Sequence, residues 1–214
     1  GLEPQKSTSF ELGLRGELFE HTRYELAVFT IDVDDELIPF EIASSPDREF
    51  FANAGQSERR GIELSLRTTP LPGLDAGLAY TRSQFEFDTF VDGDGNDFSG
   101  KTIPGIPETF VHADISYKHE TGFFAAIDAL YTGELFADNA NSETINSATV
   151  ANLRFGLKRT FDKFIIEPFV GINNLFDADY TANVRINAFG GRYFEPGPAR
   201  NVYGGLSVRI QYAD

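Results

Sequence analysis

The side chains that most suggest chemistry in this sequence are His112, Asp114 and Ser116, which alternate along one short segment. A base, an acid and a hydroxyl are the residue types of a hydrolase triad. On a β-strand all three would share one face, but neighbours two residues apart are separated by about 6.6 to 6.8 Å. Because a working triad needs contacts of roughly 2.6 to 3.2 Å, we interpret them as one polar row of a strand. The other histidines, His21 and His119, are predicted at short turns and do not indicate a metal site.

A second candidate is an acidic stretch in which carboxylates and an amide alternate as in a calcium-binding loop. Its members are Asp92, Asp94, Asn96 and Asp97. The rest of the EF-hand pattern is missing, because the sixth position is Asp97 rather than glycine and the twelfth is Ile103 rather than glutamate. Asp and Asn beside glycine also form turns at loop tips. Calcium binding is therefore the weaker interpretation, and we predict no resident metal and no cofactor.

Composition narrows the function further. The 214 residues include no cysteine, which excludes disulfides and thiolate chemistry. The formal net charge of −15 opposes binding to nucleic acid and adsorption to anionic surfaces. No apolar run approaches the roughly 20 residues of a membrane-spanning helix, and no segment has the pattern of a long helix. We expect an all-β protein that, without a clustered nucleophile and base, is not an enzyme.

The segments that would position these side chains alternate apolar and polar residues with a period of two. In residues 10–18, for example, phenylalanine and leucine alternate with glutamate and arginine, so one face of the strand is apolar and the other charged. A soluble sandwich could show the same alternation. The pattern predicts nine strands, at residues 10–18, 22–36, 51–67, 74–87, 111–118, 122–133, 151–158, 164–176 and 202–212.

The connections between these strands alternate short and long. The short ones lie near residues 20–23, 69–73, 118–122 and 160–163, and the long ones near 37–50, 88–108, 134–148 and 177–200. An up-and-down meander places all short turns at one rim and all long loops at the other, as in outer-membrane barrels. Nine strands is an odd number, and an open sheet would leave unpaired edges in lipid. We therefore predict part of a larger antiparallel transmembrane β-barrel.

Several motifs resemble one family. The string EPFVGINNLFD at residues 167–177, followed by Tyr180, resembles the NLFD..Y signature of TonB-dependent outer-membrane receptors. Four further pieces follow the order of that family. They are LEPQKS with FELG near the start, NAGQSERRGIE at residues 53–63, GIP at 105–107 and RYFEPGPAR at 192–200. The resemblance extends over residues 2 to 212, although the family's terminal aromatic residue, Tyr212 here, is followed by two more residues.

The resemblance implies a barrel of about 22 strands filled by an N-terminal plug, of which residues 1–214 would be the last nine strands without the plug. It further implies the outer membrane of a Gram-negative bacterium, an energy-transducing TonB-type partner that contacts the absent N-terminal part, and energy-coupled import of a ferric siderophore, haem, cobalamin or a similar scarce nutrient. A passive porin or small closed barrel is the alternative, and an outer-membrane barrel enzyme is a third class.

Two sets of site residues follow from this interpretation. The charged side chains predicted to face the lumen include Arg15, Glu63, Arg67, Asp114 and Arg154. Long loops on a rigid scaffold usually provide binding residues, with aromatic rings stacking on flat ligand groups and Arg192 pairing with an anionic ferric complex. The predicted ligand contacts are Phe40, Phe50, Phe51, Phe90, Phe98, Phe136, Phe189, Arg192, Tyr193 and Phe194.

Overall fold

The computed structural model describes residues 2–42, 44–53, 55–92 and 95–211, with the side chains of residues 38–42, 46, 47, 49 and 189 outside that description. The strands are β1 (Lys6–Leu18), β2 (Thr22–Asp34), β3 (Leu37–Ile42), β4 (Ser45–Asn53), β5 (Gln56–Leu71), β6 (Leu74–Thr89), β7 (Thr109–Lys118), β8 (Phe123–Thr132), β9 (Leu135–Phe136), β10 (Thr144–Ile145), β11 (Ala148–Leu157), β12 (Arg159–Phe161), β13 (Phe164–Asn173), β14 (Thr181–Val184), β15 (Phe194–Pro196) and β16 (Asn201–Ile210). Short 3₁₀ turns lie at Phe19–His21 and Phe189–Gly191.

One large antiparallel sheet forms the body of the chain. Its order is β1-β2-β5-β6-β7-β8-β11-β13, and β16 pairs with the far side of β13. β12 continues β11 past Lys158, because Gly156 opposite Phe169 and Arg159 opposite Ile166 keep one register. The sheet is therefore a meander of nine wall strands, which confirms the predicted all-β antiparallel architecture.

The short turns of neighbouring hairpins contact one another at one rim. The Lys118 amide donates to the carbonyl of Gly73 at 2.8 Å, and the Lys158 amide donates to Gly122 at 2.8 Å. Both glycines have a positive φ, of 79° and 88°, and a Cβ at either would collide with the backbone of the lysine that it contacts. Only glycine fits these turns without strain.

The pairing register separates an apolar face from a polar face. Leu12 lies opposite Val28, which lies opposite Ile62, and these three side chains are all exposed. A contiguous exposed apolar surface of this extent is expected against lipid and not against water. Other exposed members of this face are Phe10, Leu14, Ile115, Phe155, Val170, Val202, Leu206 and Val208.

The first long connection differs from the prediction. Residues 37–50 were predicted as a loop and 51–67 as one strand, but β3 and β4 form a hairpin and the wall strand β5 begins only at Gln56. The Asn53 side chain donates to the Asp35 carbonyl at 2.7 Å, and the Asp35 amide donates to Gly55 at 3.0 Å. These bonds close the base of the hairpin and so end β4 before the wall resumes.

The other long connections also contain structure. Residues 133–147 include the paired strands β9 and β10, and residues 174–200 include β14 and β15. In the segment after β6, Phe87, Phe90 and Ile103 form a buried cluster on the polar face at the long-loop end. Among the described residues, no helix is long and apolar enough to cross a membrane.

Candidate functional site

The five charged side chains predicted for the lumen share the polar face of the sheet. Arg15 lies opposite Glu25 and Arg67 opposite Gly77, which in turn lies opposite Asp114. The remaining two, Glu63 and Arg154, occupy the same face by register. A concavity of about 540 Å³ on this face is lined by Arg15 together with Glu11, Glu25 and Glu63.

Two arginines of this face are held by specific neighbours. Arg67 donates to Asp114 at 2.8 Å, and a Cβ at Gly77 would lie 2.6 Å from the Asp114 carboxylate, so the glycine makes room for the pair. The Arg154 guanidinium lies 4.0 Å from the Phe169 ring centroid, a cation–π distance. Its Nη2 is 3.7 Å from Glu167.

The histidine, aspartate and serine of the triad pattern do not form a catalytic cluster. His112 Nδ1 lies 3.9 Å from Asp114 Oδ1, too far for a hydrogen bond. The carboxylate instead pairs with Arg67. These residues therefore belong to the polar row of the wall.

The NLFD segment connects the two ends of the longest loop. Asn174 is 3% exposed, and its amide donates to the carbonyls of Ala178 at 2.9 Å and Pro198 at 3.2 Å. Asp177 accepts from the Arg200 amide at 2.8 Å. Gly197 donates its amide to the Tyr180 carbonyl, and a Cβ there would enter the Tyr180 ring. The motif therefore fixes where residues 174–200 leave and rejoin the wall.

Three long loops are bonded to one another through asparagines. Asn141 Oδ1 accepts from the Thr102 amide at 2.9 Å, and its Nδ2 donates to the Thr102 carbonyl at 2.8 Å. The Asn187 side chain accepts from the Asn139 amide at 2.9 Å. The Gly105 amide donates to Phe136 at 2.8 Å. Because each bond joins different connections, residues 90–108, 133–147 and 174–200 form one assembly.

Beneath this assembly lies a cavity of about 640 Å³ against the polar face of the wall. Wall strands β7, β8 and β11 contribute its floor, and segments of the three connected loops cover it. Apolar side chains form most of its sides, and a few polar groups converge at the floor, which is the usual make-up of a small-molecule site. The polar floor residues are His112, Asp128, Thr132 and Asn152.

The orientation of Asp128 is set by a short hydrogen-bond chain. The backbone amide of Asn174 donates to Asn152 Oδ1 at 3.1 Å. This leaves Asn152 Nδ2 to donate to Asp128 Oδ2 at 2.8 Å. Since the backbone amide can only donate, the Asn152 side chain has one consistent orientation. The family motif at Asn174 thus extends to the floor of the cavity.

The predicted ligand contacts are spread over several loops, and none of those with a described side chain lines this cavity. Phe90 is 4% exposed, and its ring centroid is 4.9 Å from Phe87 and 5.4 Å from Phe98, so it packs the loop. The side chains of Phe51 and Phe194 are at least half exposed to solvent. The Phe50 ring is covered by the guanidinium group of Arg48. Phe136 lines a neighbouring cavity and Arg192 is exposed. The side chains of Phe40 and Phe189 lie outside the described residues.

The described part of the cavity lining includes none of the ten predicted contacts. Its residues come from the wall and from loop segments that fold inward, such as Thr181 and Val184. Period-two alternation had already placed His112 on the polar face, and the same alternation on β8 and β11 identifies Asp128 and Asn152. Which loops fold over them depends on contacts between distant segments, for which the sequence gives no signal.

Two titratable groups in the loops have shifted pKa values. Burial raises the pKa of Tyr193, and the negative charges of Asp138 and Glu143 raise it further. Hydrogen bonds from the side chain and the backbone of Ser99 lower the pKa of Asp97. The Tyr193 shift reflects burial near acidic residues of a neighbouring loop, and the Asp97 shift reflects hydrogen bonds within its own turn.

The acidic stretch forms a turn. The Asp92 carboxylate accepts from the Asn96 amide and side chain, both at 2.9 Å, and Asp97 accepts from the Ser99 amide at 2.9 Å. Asp94 lies outside the described residues. Elsewhere too, the described chain contains no group of three or more His, Cys, Asp or Glu side chains that could hold a metal ion. The calcium interpretation therefore gains no support.

Known proteins share this sequence pattern and fold. The family described as "TonB dependent receptor-like, beta-barrel" matches residues 1–175. The ferrichrome outer membrane transporter/phage receptor of Escherichia coli (strain K12) is 23% identical over 85% of this chain and 26% of that protein. The ferric-catecholate import receptor Fiu of E. coli K12 has a TM-score of 0.71 at 20% identity, covering 99% of this chain and 28% of that chain. The ferric yersiniabactin uptake receptor FyuA of Yersinia pestis has a TM-score of 0.73 at 20% identity, covering 98% and 30%.

The chain corresponds to only part of each of these proteins. The chain spans between a quarter and a third of the length of these relatives, and at such identities the solved structures show the fold alone. The family match covers most of the chain. The chain belongs to the family of TonB-dependent receptors, as part of the β-barrel, and the members of that family are transporters of the Gram-negative outer membrane and not enzymes.

Proposed function

We propose that the full-length protein is an outer-membrane receptor for energy-coupled uptake of a ferric siderophore or a similar scarce nutrient. The single observation that supports this most is the cavity of about 640 Å³ beneath the connected loops. A concave site with apolar sides and a polar floor suits a compact chelate or cofactor. The relatives named above include receptors for ferrichrome, ferric catecholate and ferric yersiniabactin.

The proposal includes parts that lie outside this chain. Residues 1–214 would form about the last nine strands of a barrel of some 22 strands, and an N-terminal plug would fill the lumen. A TonB-type protein of the inner membrane would contact that N-terminal part and supply energy. Within the described residues β1 and β16 each pair with a strand on one side only, which supports this, because lipid offers no partner for an open sheet edge.

Uptake in the native host distinguishes this function from a passive porin. We expect that deleting the gene abolishes high-affinity accumulation of at least one ⁵⁵Fe-labelled chelate, that the full-length gene restores it, and that a protonophore stops it. A passive pore would conduct without energy. Gene-dependent uptake that a protonophore leaves unchanged would therefore contradict the proposal.

A further inference from the structure

The charged side chain in the described lining of the cavity under the loops is acidic. Its described lining includes one carboxylate, Asp128, and no lysine or arginine. Two adjoining cavities, of about 280 and 300 Å³, share lining residues with it. Within the described residues, these also lack lysine and arginine, but they include Glu108, Glu134 and Asp179. The described linings of the three cavities therefore include carboxylates but no lysine or arginine, with Arg82 lying 3.9 Å from Glu108 at their border.

Asp128 is the best-placed of these carboxylates. Its Oδ2 is occupied by Asn152, while Oδ1 has no hydrogen-bond partner in the part of the chain that the structure describes. Asp114 lies directly opposite on β7 and is paired with Arg67. Arg154, which follows the Asn152 partner of Asp128 by two residues on β11, lies against Phe169 and 3.7 Å from Glu167. Like charges directly opposite one another are unfavourable. The arrangement leaves one fixed acceptor, facing the cavity, that a positive group or a hydrogen-bond donor would stabilise.

Electrostatics in a cleft of one sign favours one class of ligand. A low-dielectric cleft lined by a single charge attracts counter-ions and repels ions of its own sign. Burying an anion beside a carboxylate costs free energy through desolvation and repulsion, and the described lining offers the anion no lysine or arginine as a counter-charge. The chain's net charge of −15 acts in the same direction.

From these contacts we infer that the nutrient is a neutral or cationic ferric chelate, which presents a hydrogen-bond donor or an ammonium group to Asp128. The inference rests on the proposed receptor function and assigns its substrate class. It differs from the sequence-based expectation of an anionic complex paired with Arg192, a residue that does not line the described cavity.

A series of chelates that differ only in charge tests this class. Ferric desferrioxamine B is cationic through its free amine, its N-acetyl derivative is neutral, and its N-succinyl derivative is anionic. The experiment measures dissociation constants of the ⁵⁵Fe forms, with the ferric tricatecholate of enterobactin as a strongly anionic probe, on full-length receptor in outer-membrane vesicles. We expect the cationic and neutral forms to bind at least tenfold more tightly than either anionic form.

Substitution of Asp128 identifies the group responsible. In Asp128→Asn we expect the preference for the cationic over the anionic chelate to fall roughly tenfold, the size of one charge-assisted hydrogen bond. The fold is retained, because an amide at this position still accepts from Asn152 and no longer opposes Asp114. Asp32→Asn is the matched control, because it removes the same charge at an exposed position. Asp32 lies on the face of β2 that carries Val28, away from the cavity.

Three results would overturn the inference. Tightest binding of an anionic chelate would contradict it and leave the receptor function intact. An unchanged charge preference in Asp128→Asn would show that another group selects the ligand. Binding of none of the chelates, together with no gene-dependent uptake of iron, would contradict the proposed function itself.

Discussion

Asparagine side chains determine much of the structure of the long loops. Asn174 joins residues that are 24 positions apart, through its bond to Pro198, and Asn141 and Asn187 each connect two loops. An amide has one acceptor and one donor group, so it can accept from one backbone and donate to another. The sequence showed the NLFD string as a family signature, but its role follows from long-range bonds that the string does not reveal.

Removing the Asn174 side chain should loosen the longest loop. In Asn174→Ala, the carbonyl of Pro198 and the amide of Ala178 lose their partner, and each lost buried bond costs about 1–3 kcal/mol. We expect trypsin to cleave the full-length receptor after Arg185 or Arg192 roughly tenfold faster than the unaltered protein. Asn183→Ala, at an exposed position of β14, is the control. Equal cleavage rates in the two variants would show that Asn174 does not order the loop.

The wall strands could be predicted well because burial on one face imposes a period of two. All nine predicted strands correspond to wall strands, with ends that differ by a few residues. The hairpin β3–β4 was missed, since it lies outside the wall and no lipid-facing row marks its sequence. The stacking of the loops was missed for the same reason, because contacts such as that between Gly105 and Ile186 join distant segments.

Gly105 offers a test of loop packing at the level of elements. It has a φ of 82°, and a Cβ there would lie 2.5 Å from Ile186. Gly100 has a φ of 73° but no atom within 4 Å, so the two positions share backbone strain of about 1 kcal/mol and differ in the collision. We expect Gly105→Ala to speed hydrogen exchange at both residues 100–106 and 184–188, and Gly100→Ala to affect only its own turn.

The packing contact can be isolated by a second substitution. Combining Gly105→Ala with Ile186→Ala should restore slow exchange near residue 105, since the shorter side chain removes the collision. If Gly100→Ala disturbs residues 184–188 as much as Gly105→Ala does, then the two loops are not coupled through this contact.

At the scale of the whole molecule, three features occur together. Apolar side chains are exposed on one face and charged ones lie on the other, short turns occupy one rim, and long loops with the covered cavity occupy the opposite rim. An outer-membrane receptor needs all three, because lipid surrounds the wall and the ligand arrives from outside. The sequence predicted the first two from alternation and spacing, and the cavity required the structure.

The central claim is that the long-loop rim faces the outside of the cell, and site-directed labelling tests it most directly. Single cysteines are introduced at exposed positions of the full-length receptor, in which any cysteine outside residues 1–214 has been replaced by serine. The positions are Ala140 and Glu195 in the loops and Pro72 and Glu120 in the turns. A membrane-impermeant maleimide is applied to intact cells and to cells with permeabilised outer membranes. We predict labelling of Ala140→Cys and Glu195→Cys in intact cells, and of Pro72→Cys and Glu120→Cys only after permeabilisation. Labelling of the turn positions in intact cells, with the loop positions protected, would contradict the account.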